Sequence, residues 1–219
     1  MATTSGDPMN ILVIGATRGI GRAVMTTALA QGHRVRAFAR SAADLPPAEG
    51  LEPWPGDATD TADLGRALAD QDAVVMALGI KESLAMLWRP VTLFSEATQA
   101  LVPLMEAQGP RRLIAVTGIG AGDSAAALSG PERLGHRVIF SQPYRDKTRQ
   151  EEIIRASTLD WTLIRPTILT HNRASHRYRV LTDPGDWRMG VISRADVADY
   201  ILRALGDDTT IGTAPVLAR

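Results

Sequence analysis

Short apolar runs alternate with longer amphipathic segments along almost the whole chain. The first run, 11–14, has four consecutive apolar residues, and a segment follows in which Ile20, Val24 and Leu29 recur as an apolar stripe. Short continuous runs are typical of strands buried on both faces, and the periodic segments are typical of helices with one buried face. This alternation predicts a single doubly wound α/β domain, a Rossmann domain with a mostly parallel sheet and helices on both faces.

Capping and turn residues mark the ends of the predicted elements. Gly32 ends the first helix, Asp60 or Thr61 caps the second, and Ser193 caps the last. The predicted strands are 10–14, 34–39, 52–54, 73–78, 112–117, 161–165 and 213–217. The predicted helices run from the first glycine turn to residue 31, and over 61–69, 95–108, 146–157 and 194–205.

Two long segments interrupt this rhythm, 118–143 and 166–188. Both follow predicted strands, so we expect them at the carboxyl edge of the sheet, where open α/β folds bind their ligands. We interpret them as substrate loops, because long irregular loops in compact domains are usually functional; plain surface insertions are the alternative. Residues 1–8 are expected to form a disordered tail, and 9–219 one domain.

The composition of the chain argues against several classes of function. The formal net charge of the 219 residues is zero, which gives no electrostatic basis for binding nucleic acid or a membrane surface. No apolar run approaches the roughly 20 residues of a membrane span. The chain contains no cysteine, which excludes disulfides, thiolate catalysis and cysteine-bound metals. We therefore expect a cytoplasmic protein, a monomer or homodimer, whose partner is a small-molecule substrate.

The first turn carries the strongest signal in the chain. Gly15 permits a backbone conformation closed to other residues, Gly19 lets a diphosphate approach, and Gly21 lets helix and strand pack closely. The following helix N-terminus offers unpaired N–H groups and the positive end of its dipole. A structural glycine turn is the alternative, but the strand–turn–helix context favours dinucleotide binding. The predicted binding residues are Gly15, Thr17, Arg18, Gly19, Ile20 and Gly21.

The end of the second strand indicates which dinucleotide is bound. An NAD site places an acidic residue there to accept hydrogen bonds from the adenosine ribose, whereas an arginine suits the extra 2′-phosphate of NADP. Here the strand ends in Arg40 and Ser41, and Arg18 of the glycine turn can reach the same phosphate. We therefore expect NADP(H) as the cofactor. The alternative interpretation of Arg40 is a solvated charge at a strand end.

These motifs resemble the short-chain dehydrogenase/reductase superfamily, whose first turn has the same G-x-x-x-G-x-G spacing. None of the three tyrosines has a lysine four residues later, so the Tyr-x-x-x-Lys pair of the tyrosine-dependent members is missing. The run from Lys147 through Glu-Glu and Leu-Asp-Trp-Thr to Arg165-Pro166, with Ile-Ser-Arg-Ala-Asp-Val-Ala at 192–198, is similar to the atypical branch. That branch includes NmrA-like NAD(P)-binding proteins and flavin or biliverdin-IXβ reductases. The resemblance covers nearly all of residues 10–205.

The resemblance implies further contacts with the cofactor. The pair Asp57-Ala58 would meet the adenine ring, although Gly-Asp is also a common turn. The small residues that close the fourth strand would let the backbone pass the ribose, and Pro166-Thr167 would lie beside the carboxamide. These predicted cofactor-binding residues are Asp57, Ala58, Ala77, Leu78, Gly79, Pro166 and Thr167.

The resemblance also implies three catalytic candidates. Lys147 would sit near the nicotinamide ribose, and Thr117 would take the place of the catalytic serine. Tyr144 is a candidate proton donor that could share a helix face with Lys147, although solvent can supply the proton in related flavin reductases. As alternatives, Lys147 is a surface partner of Glu151, and Thr117 a strand-end hydroxyl bonded to backbone.

The second long segment also contains two histidines, His171 and His176, which are possible polar contacts. They lie five residues apart without an acidic partner, which is a poor metal site, so no metal is expected.

Residues and resemblance together imply an NADPH-dependent oxidoreductase. It would transfer a hydride to a small planar or carbonyl-bearing substrate of the flavin, quinone or ketone type, with the cofactor supplying the hydride. The alternative is a non-catalytic NADP-binding redox sensor of the NmrA-like type, which the missing Tyr-x-x-x-Lys pair favours. A sugar-nucleotide epimerase or dehydratase is disfavoured, since those enzymes generally keep the tyrosine and a larger C-terminal domain.

Overall fold

A computed structural model of the protein describes residues 7–80, 91–127 and 141–219, and within these ranges it contains ten strands and five α-helices. The strands are β1 Asn10–Ile14, β2 Arg34–Phe38, β3 Leu51–Trp54, β4 Ala73–Met76, β5 Arg112–Val116, β6 Asp160–Pro166, β7 Ile168–Thr170, β8 Arg179–Leu181, β9 Val191–Ser193 and β10 Val216–Ala218. The helices are α1 Gly19–Ala30, α2 Thr61–Ala67, α3 Leu93–Gln108, α4 Ser141–Arg155 and α5 Arg194–Leu205.

Eight of these strands form one sheet in the order β3-β2-β1-β4-β5-β6-β10-β8. Every pair in it is parallel except β10 with β8, which is antiparallel. Strands β7 and β9 form a separate parallel pair. The chain reverses direction across the sheet between β1 and β4, and open α/β folds bind ligands at such a switch point.

Both faces of the sheet are buried, as the apolar runs predict. In β1, Ile11 and Val13 pack with the side chains of α1 and α5, while Leu12 and Ile14 pack with those of α2, α3 and α4. Successive side chains of a strand point to opposite faces, so a strand covered on both sides needs an apolar residue at each position. The predicted doubly wound α/β domain is confirmed.

Most predicted boundaries lie within two residues of the observed ones. The exceptions are α4, which begins at Ser141 and not at residue 146, and β10, which begins at Val216 and not at residue 213. For α4, the prediction placed the start of the helix after Pro143. A proline is nevertheless compatible with a first helical turn, because the N–H that it lacks has no helical partner there. The Asp146 carboxylate of α4 contacts the start of α3, where it accepts hydrogen bonds from the N–H groups of Phe94 and Ser95, at 2.8 and 3.2 Å.

The two segments expected to be irregular have different outcomes. Segment 166–188 is more regular than predicted, since it contains β7, β8 and a single 3₁₀ turn, Pro184–Asp186. Segment 118–143 contains a 3₁₀ helix, Gly122–Ala127, while its part 128–140 lies outside the described residues, as do residues 1–6 of the predicted tail. None of the described helices combines the length and apolar character needed to cross a bilayer.

Candidate functional site

The glycine turn between β1 and α1 lies at the switch point, and its close contacts require glycine. Gly15 has φ +89°, its N–H donates to the carbonyl of Phe38 at 2.9 Å, and a Cβ there would lie 2.6 Å from the carbonyl oxygen of Ala77. A Cβ at Gly21 would overlap the carbonyl of Gly15. At Gly19 the equivalent position is open space, which leaves room for a diphosphate above the turn.

A cavity of about 740 Å³ opens at this edge of the sheet and brings most of the predicted residues together. The predicted residues that line it are Gly15, Thr17, Arg18, Gly19, Ile20, Arg40, Ser41, Asp57, Ala58, Ala77, Leu78, Gly79, Thr117, Tyr144, Lys147 and Pro166. Two predicted residues do not line it. Gly21 lies behind the turn, and the buried Thr167 donates its hydroxyl to the carbonyl of Leu217 at 3.0 Å.

One end of the cavity, here called the adenosine end, is formed by residues that follow β1, β2 and β3. Arg18, Arg40 and Ser41 are exposed there, and the hydroxyls of Ser41 and Thr17 are 3.3 Å apart. Asp57 both lines the cavity and builds a turn, because its carboxylate accepts from the N–H and hydroxyl of Thr59. These two bonds, and the positive charge of Arg40, lower the pKa of Asp57. Arg18 and Arg40 are thus exposed beside the cavity, where they can meet an anionic group.

The other end, here called the reactive end, contains Lys147 of α4. Its ammonium group donates to the backbone carbonyl of Thr117 and lies 5.1 Å from the ring centre of Phe94 and 5.6 Å from that of Tyr144. Burial lowers the pKa of Lys147 to about 8, against an opposing effect of the Glu151 charge. Lys147 is therefore a cavity residue, and the alternative of a surface partner for Glu151 is wrong, since Glu151 is itself buried.

Thr117 and Tyr144 meet at the same end. The hydroxyl of Thr117 donates to Oε1 of Glu151 at 2.7 Å, so the alternative of a hydroxyl bonded to backbone is wrong. Tyr144 lies one helical turn before Lys147, and both side chains line the cavity. Burial raises the pKa of Tyr144, which keeps its phenol protonated at neutral pH. A Cβ at Gly118 would lie 3.1 Å from the Tyr144 hydroxyl, so a larger residue at this position would crowd the phenol.

Behind Thr117 lies a buried ion pair to which sequence reasoning assigned no role. Arg165 of β6 is fully buried; its Nε donates to Oε1 of Glu151 at 3.0 Å, its Nη2 donates to Oε2, and Nη2 also contacts Asp123. The guanidinium carbon lies 5.0 Å from the ring centre of Trp187. The available signal was an arginine directly after the apolar pair Leu163-Ile164 in a strand with a buried end.

Sequence reasoning also missed several lining residues. The missed apolar or small residues are Ile14, Phe38, Ala39, Gly56, Ile80, Leu93, Phe94, Val116, Pro143 and Leu169. The missed polar residues are Thr59 and Arg194, and Arg194 Nη1 donates to the carbonyl of Thr170 at 3.1 Å. Most of them follow strand ends or begin helices, which is the signal that could have found them.

The two histidines of segment 166–188 lie away from the cavity lining. His171 is exposed, and Nδ1 of His176 lies 3.2 Å from the Asp199 carboxylate. Within the described ranges, no three His, Cys, Asp or Glu residues are grouped so that they could hold a metal ion.

Solved structures show where this architecture recurs. The anaerobilin reductase ChuY from Escherichia coli O157:H7 is 25% identical, with a TM-score of 0.76 over 95% of this chain and 96% of that chain. Two others are similar in fold alone, each with a TM-score of 0.81. The oxidoreductase ylbE from Lactococcus lactis is 18% identical over 96% of this chain and 91% of that chain. A short-chain dehydrogenase/reductase (wide type) from Veillonella parvula, in complex with NADP, is 17% identical over 96% of this chain and 94% of that chain.

A sequence model of the NAD(P)H-binding family matches residues 15–208, which include the glycine turn and the residues of both ends of the cavity. The match therefore covers most of the chain. Together with the spacing of the turn and the cavity above it, this match supports a nicotinamide dinucleotide as the cofactor. The chain belongs to the NAD(P)H-binding family.

Proposed function

We propose that the protein is an NADPH-dependent reductase that transfers a hydride to a small planar or carbonyl-bearing substrate, such as a flavin, a quinone or a ketone. One observation carries this proposal: a single cavity joins the glycine turn to Lys147 and Tyr144 and continues between apolar walls. The volume, about 740 Å³, is in the range of pockets that bind a ligand of drug size. The likeness to a reductase, ChuY, supports the same function.

The adenosine end would hold the phosphates of the cofactor. The first turn of α1 contains no acidic residue that would repel a diphosphate. Its N–H groups and the positive end of the helix dipole would therefore both attract one. Arg18 and Arg40 would pair with the 2′-phosphate through charge-assisted hydrogen bonds. These two arginines are the reason for proposing NADPH and not NADH.

Lys147 would hold the nicotinamide ribose. A lysine ammonium has three N–H donors, and here one of them is used by the carbonyl of Thr117. That bond fixes the position of the group and leaves two donors for ribose hydroxyls. The same bond keeps the charge of Lys147 next to the carboxyl ends of β5 and β6, where Thr117 and Pro166 line the cavity.

When bound, NADPH supplies the hydride. The protein has to exclude water and hold a proton near the acceptor. The side chains of Leu93, Phe94 and Leu169 line the walls and exclude water. At the reactive end, two of the described side chains can hold a transferable proton: the Tyr144 phenol, whose pKa is raised, and the Lys147 ammonium, with a pKa of about 8. A group with a pKa near the working pH is well suited to donate a proton.

The test is NADPH oxidation, followed by absorbance, against a panel of flavins, quinones, aldehydes and ketones. We expect slow but measurable turnover with a flavin or a quinone. Tyr144→Phe and Lys147→Met should lower turnover, and Arg145→Ala, an exposed neighbour on α4, should not. Tight NADPH binding without any oxidation across the panel would contradict the reductase proposal and support the redox sensor.

A further inference from the structure

The backbone carbonyl and the hydroxyl of Thr117 are both bound by one face of α4. Lys147 donates to its backbone carbonyl, and Glu151, one helical turn later, accepts from its hydroxyl at 2.7 Å. Thr117 is 2% exposed and lines the reactive end of the cavity. The rotation of its hydroxyl is therefore decided by Glu151, a residue that does not line the cavity itself.

Glu151 forms a buried ion pair with Arg165. An arginine stays charged in proteins, and Arg165, fully buried, donates to both carboxylate oxygens of Glu151. Both carboxylate oxygens of Glu151 therefore accept hydrogen bonds from a group that can only donate. The backbone of Gly122 closes over the pair, since a Cβ there would overlap Oε2 of Glu151. An ionised carboxylate has no proton to give, so in its bond with Thr117 it can only accept.

The direction of that bond decides what Thr117 can do in the cavity. A hydroxyl has one donor hydrogen and two acceptor lone pairs. Since the hydrogen is used by Glu151, a ligand atom that reaches this oxygen meets lone pairs. We propose that Glu151 is a positioning residue that turns Thr117 into a hydrogen-bond acceptor, so that this part of the site selects a ligand group with an N–H or O–H. Thr117 then does not donate to a substrate carbonyl, and that role falls to Tyr144 or Lys147.

A matched pair of flavins tests the polarity of this contact, and this choice of ligand rests on the proposed function. Lumiflavin has a single N–H, and 3-methyllumiflavin carries a methyl group in its place. Their dissociation constants are measured by fluorescence quenching in the presence of NADP⁺, so no turnover is needed. We expect lumiflavin to bind about two- to tenfold more tightly, the range of one net hydrogen bond. Thr117→Val should abolish this ratio, and Thr117→Ser should keep it.

Variants of the ion pair test whether Glu151 acts through Thr117. Glu151→Gln introduces an amide that can donate to Thr117, which frees the hydroxyl hydrogen and should remove the preference for lumiflavin. In the Thr117→Val background the same change should have no further effect on the ratio. Asp123→Asn is the control, because Asp123 contacts Arg165 but not Thr117 and should leave the ratio unchanged. If Glu151→Gln does not fold, the double variant Glu151→Gln, Arg165→Met, which removes both buried charges, replaces it.

A purely structural role for Glu151 would change both flavin affinities by the same factor and leave their ratio intact, which would overturn the inference. Equal affinities in the unmodified protein, a ratio that survives in Thr117→Val, or failure of both flavins to bind would overturn it too. A protein that discriminates between the flavins but oxidises no NADPH loses the reductase function and keeps this inference.

Discussion

The two ends of the cavity hold their charges in different ways. At the adenosine end, Arg18 and Arg40 are exposed, and each belongs to the turn that directly follows a strand. Behind the reactive end, Glu151 and Arg165 are buried and paired with each other, and Glu151 also accepts from the hydroxyl of Thr117, which follows β5. Water solvates the first set whether or not a ligand is bound, whereas the second set depends on its partners. We therefore expect changes at the adenosine end to alter ligand preference, and changes at the reactive end to alter the fold as well.

The largest effect is expected from Arg165→Met, which leaves the Glu151 carboxylate buried without its main partner. Breaking a buried pair in this way costs about 3–5 kcal/mol. The free energy of unfolding, measured in urea at neutral pH, should fall by that amount. Arg40→Met removes a cation from the adenosine end and should change it by less than about 0.5 kcal/mol. If the free energy of unfolding fell by similar amounts in the two variants, the proposed difference between the two ends of the cavity would be wrong.

Lys147→Ala should produce the next largest effect, this time on the cofactor. A hydrogen bond from a charged group contributes about 1.5–3 kcal/mol, so NADPH affinity should weaken by that amount. Turnover should fall as well, because a nicotinamide that is held less firmly spends less time in reacting geometry. Titration calorimetry and initial rates measure the two effects. Arg145→Ala, on the exposed side of the same helix, is the control, and a folded Lys147→Ala protein with unchanged affinity and turnover would remove Lys147 from the site.

Arg40→Asp should change cofactor preference. We expect the unmodified protein to bind NADPH at least about tenfold more tightly than NADH, which corresponds to about 1.4 kcal/mol. An aspartate at this position would repel the 2′-phosphate, and Asp57 nearby would add to the repulsion, so the preference should vanish or reverse. Arg34→Asp makes the same change of charge at the other end of β2 and should leave the preference unaltered. Equal affinities in the unmodified protein would contradict the NADPH assignment.

The smallest expected effect is the pH dependence of NADPH binding. The pKa of Lys147 is lowered from the ordinary lysine value of 10.5 to about 8. The residue should therefore lose its positive charge as the pH rises through about 8, and the affinity for NADPH should decrease in the same range. Stability should change in the opposite sense. Between about pH 8 and 10.5 the unfolded chain binds more protons at this residue, so the contribution of Lys147 to stability rises with pH in that window.

The chain has two lysines, Lys81 and Lys147, so labelling with ¹³C-lysine gives two side-chain signals that can be titrated by NMR. Lys81→Arg identifies the signal of Lys147. An apparent pKa above about 10 for that signal would contradict the desolvation of Lys147 at the reactive end. In Lys147→Met, the fall of NADPH affinity around pH 8 should disappear.

Local signals predicted most of the fold. The helix over 194–205 and its Ser193 cap were predicted as they are found, with Ser193 Oγ accepting from the N–H of Asp196. The β1–glycine turn–α1 unit was predicted because it lies within about twenty consecutive residues, and its glycines have no substitute. The start of α4 could not be predicted, because proline permits both a loop and a first helical turn.

The candidate site was predictable to a different extent at its two ends. Arg18, Arg40 and Asp57 follow directly from strand ends, and the cavity contains all three. Thr167 follows a strand end by the same rule, yet its hydroxyl turns to Leu217 of β10, which lies 50 residues further along the chain. No local signal decides between two directions for a side chain at the end of a buried strand.

The sequence by itself determined that this chain folds as a doubly wound α/β domain with a dinucleotide turn at residue 15, since periodicity and the glycine requirement are local properties. Only the tertiary structure decided that Glu151 faces Arg165 and not Lys147, that Asp146 caps α3, and that Thr117 donates to a buried carboxylate. These contacts join residues that are 14 to 52 positions apart. A buried charge is stable only with a partner, and its partner is chosen by the packing of whole elements against one another.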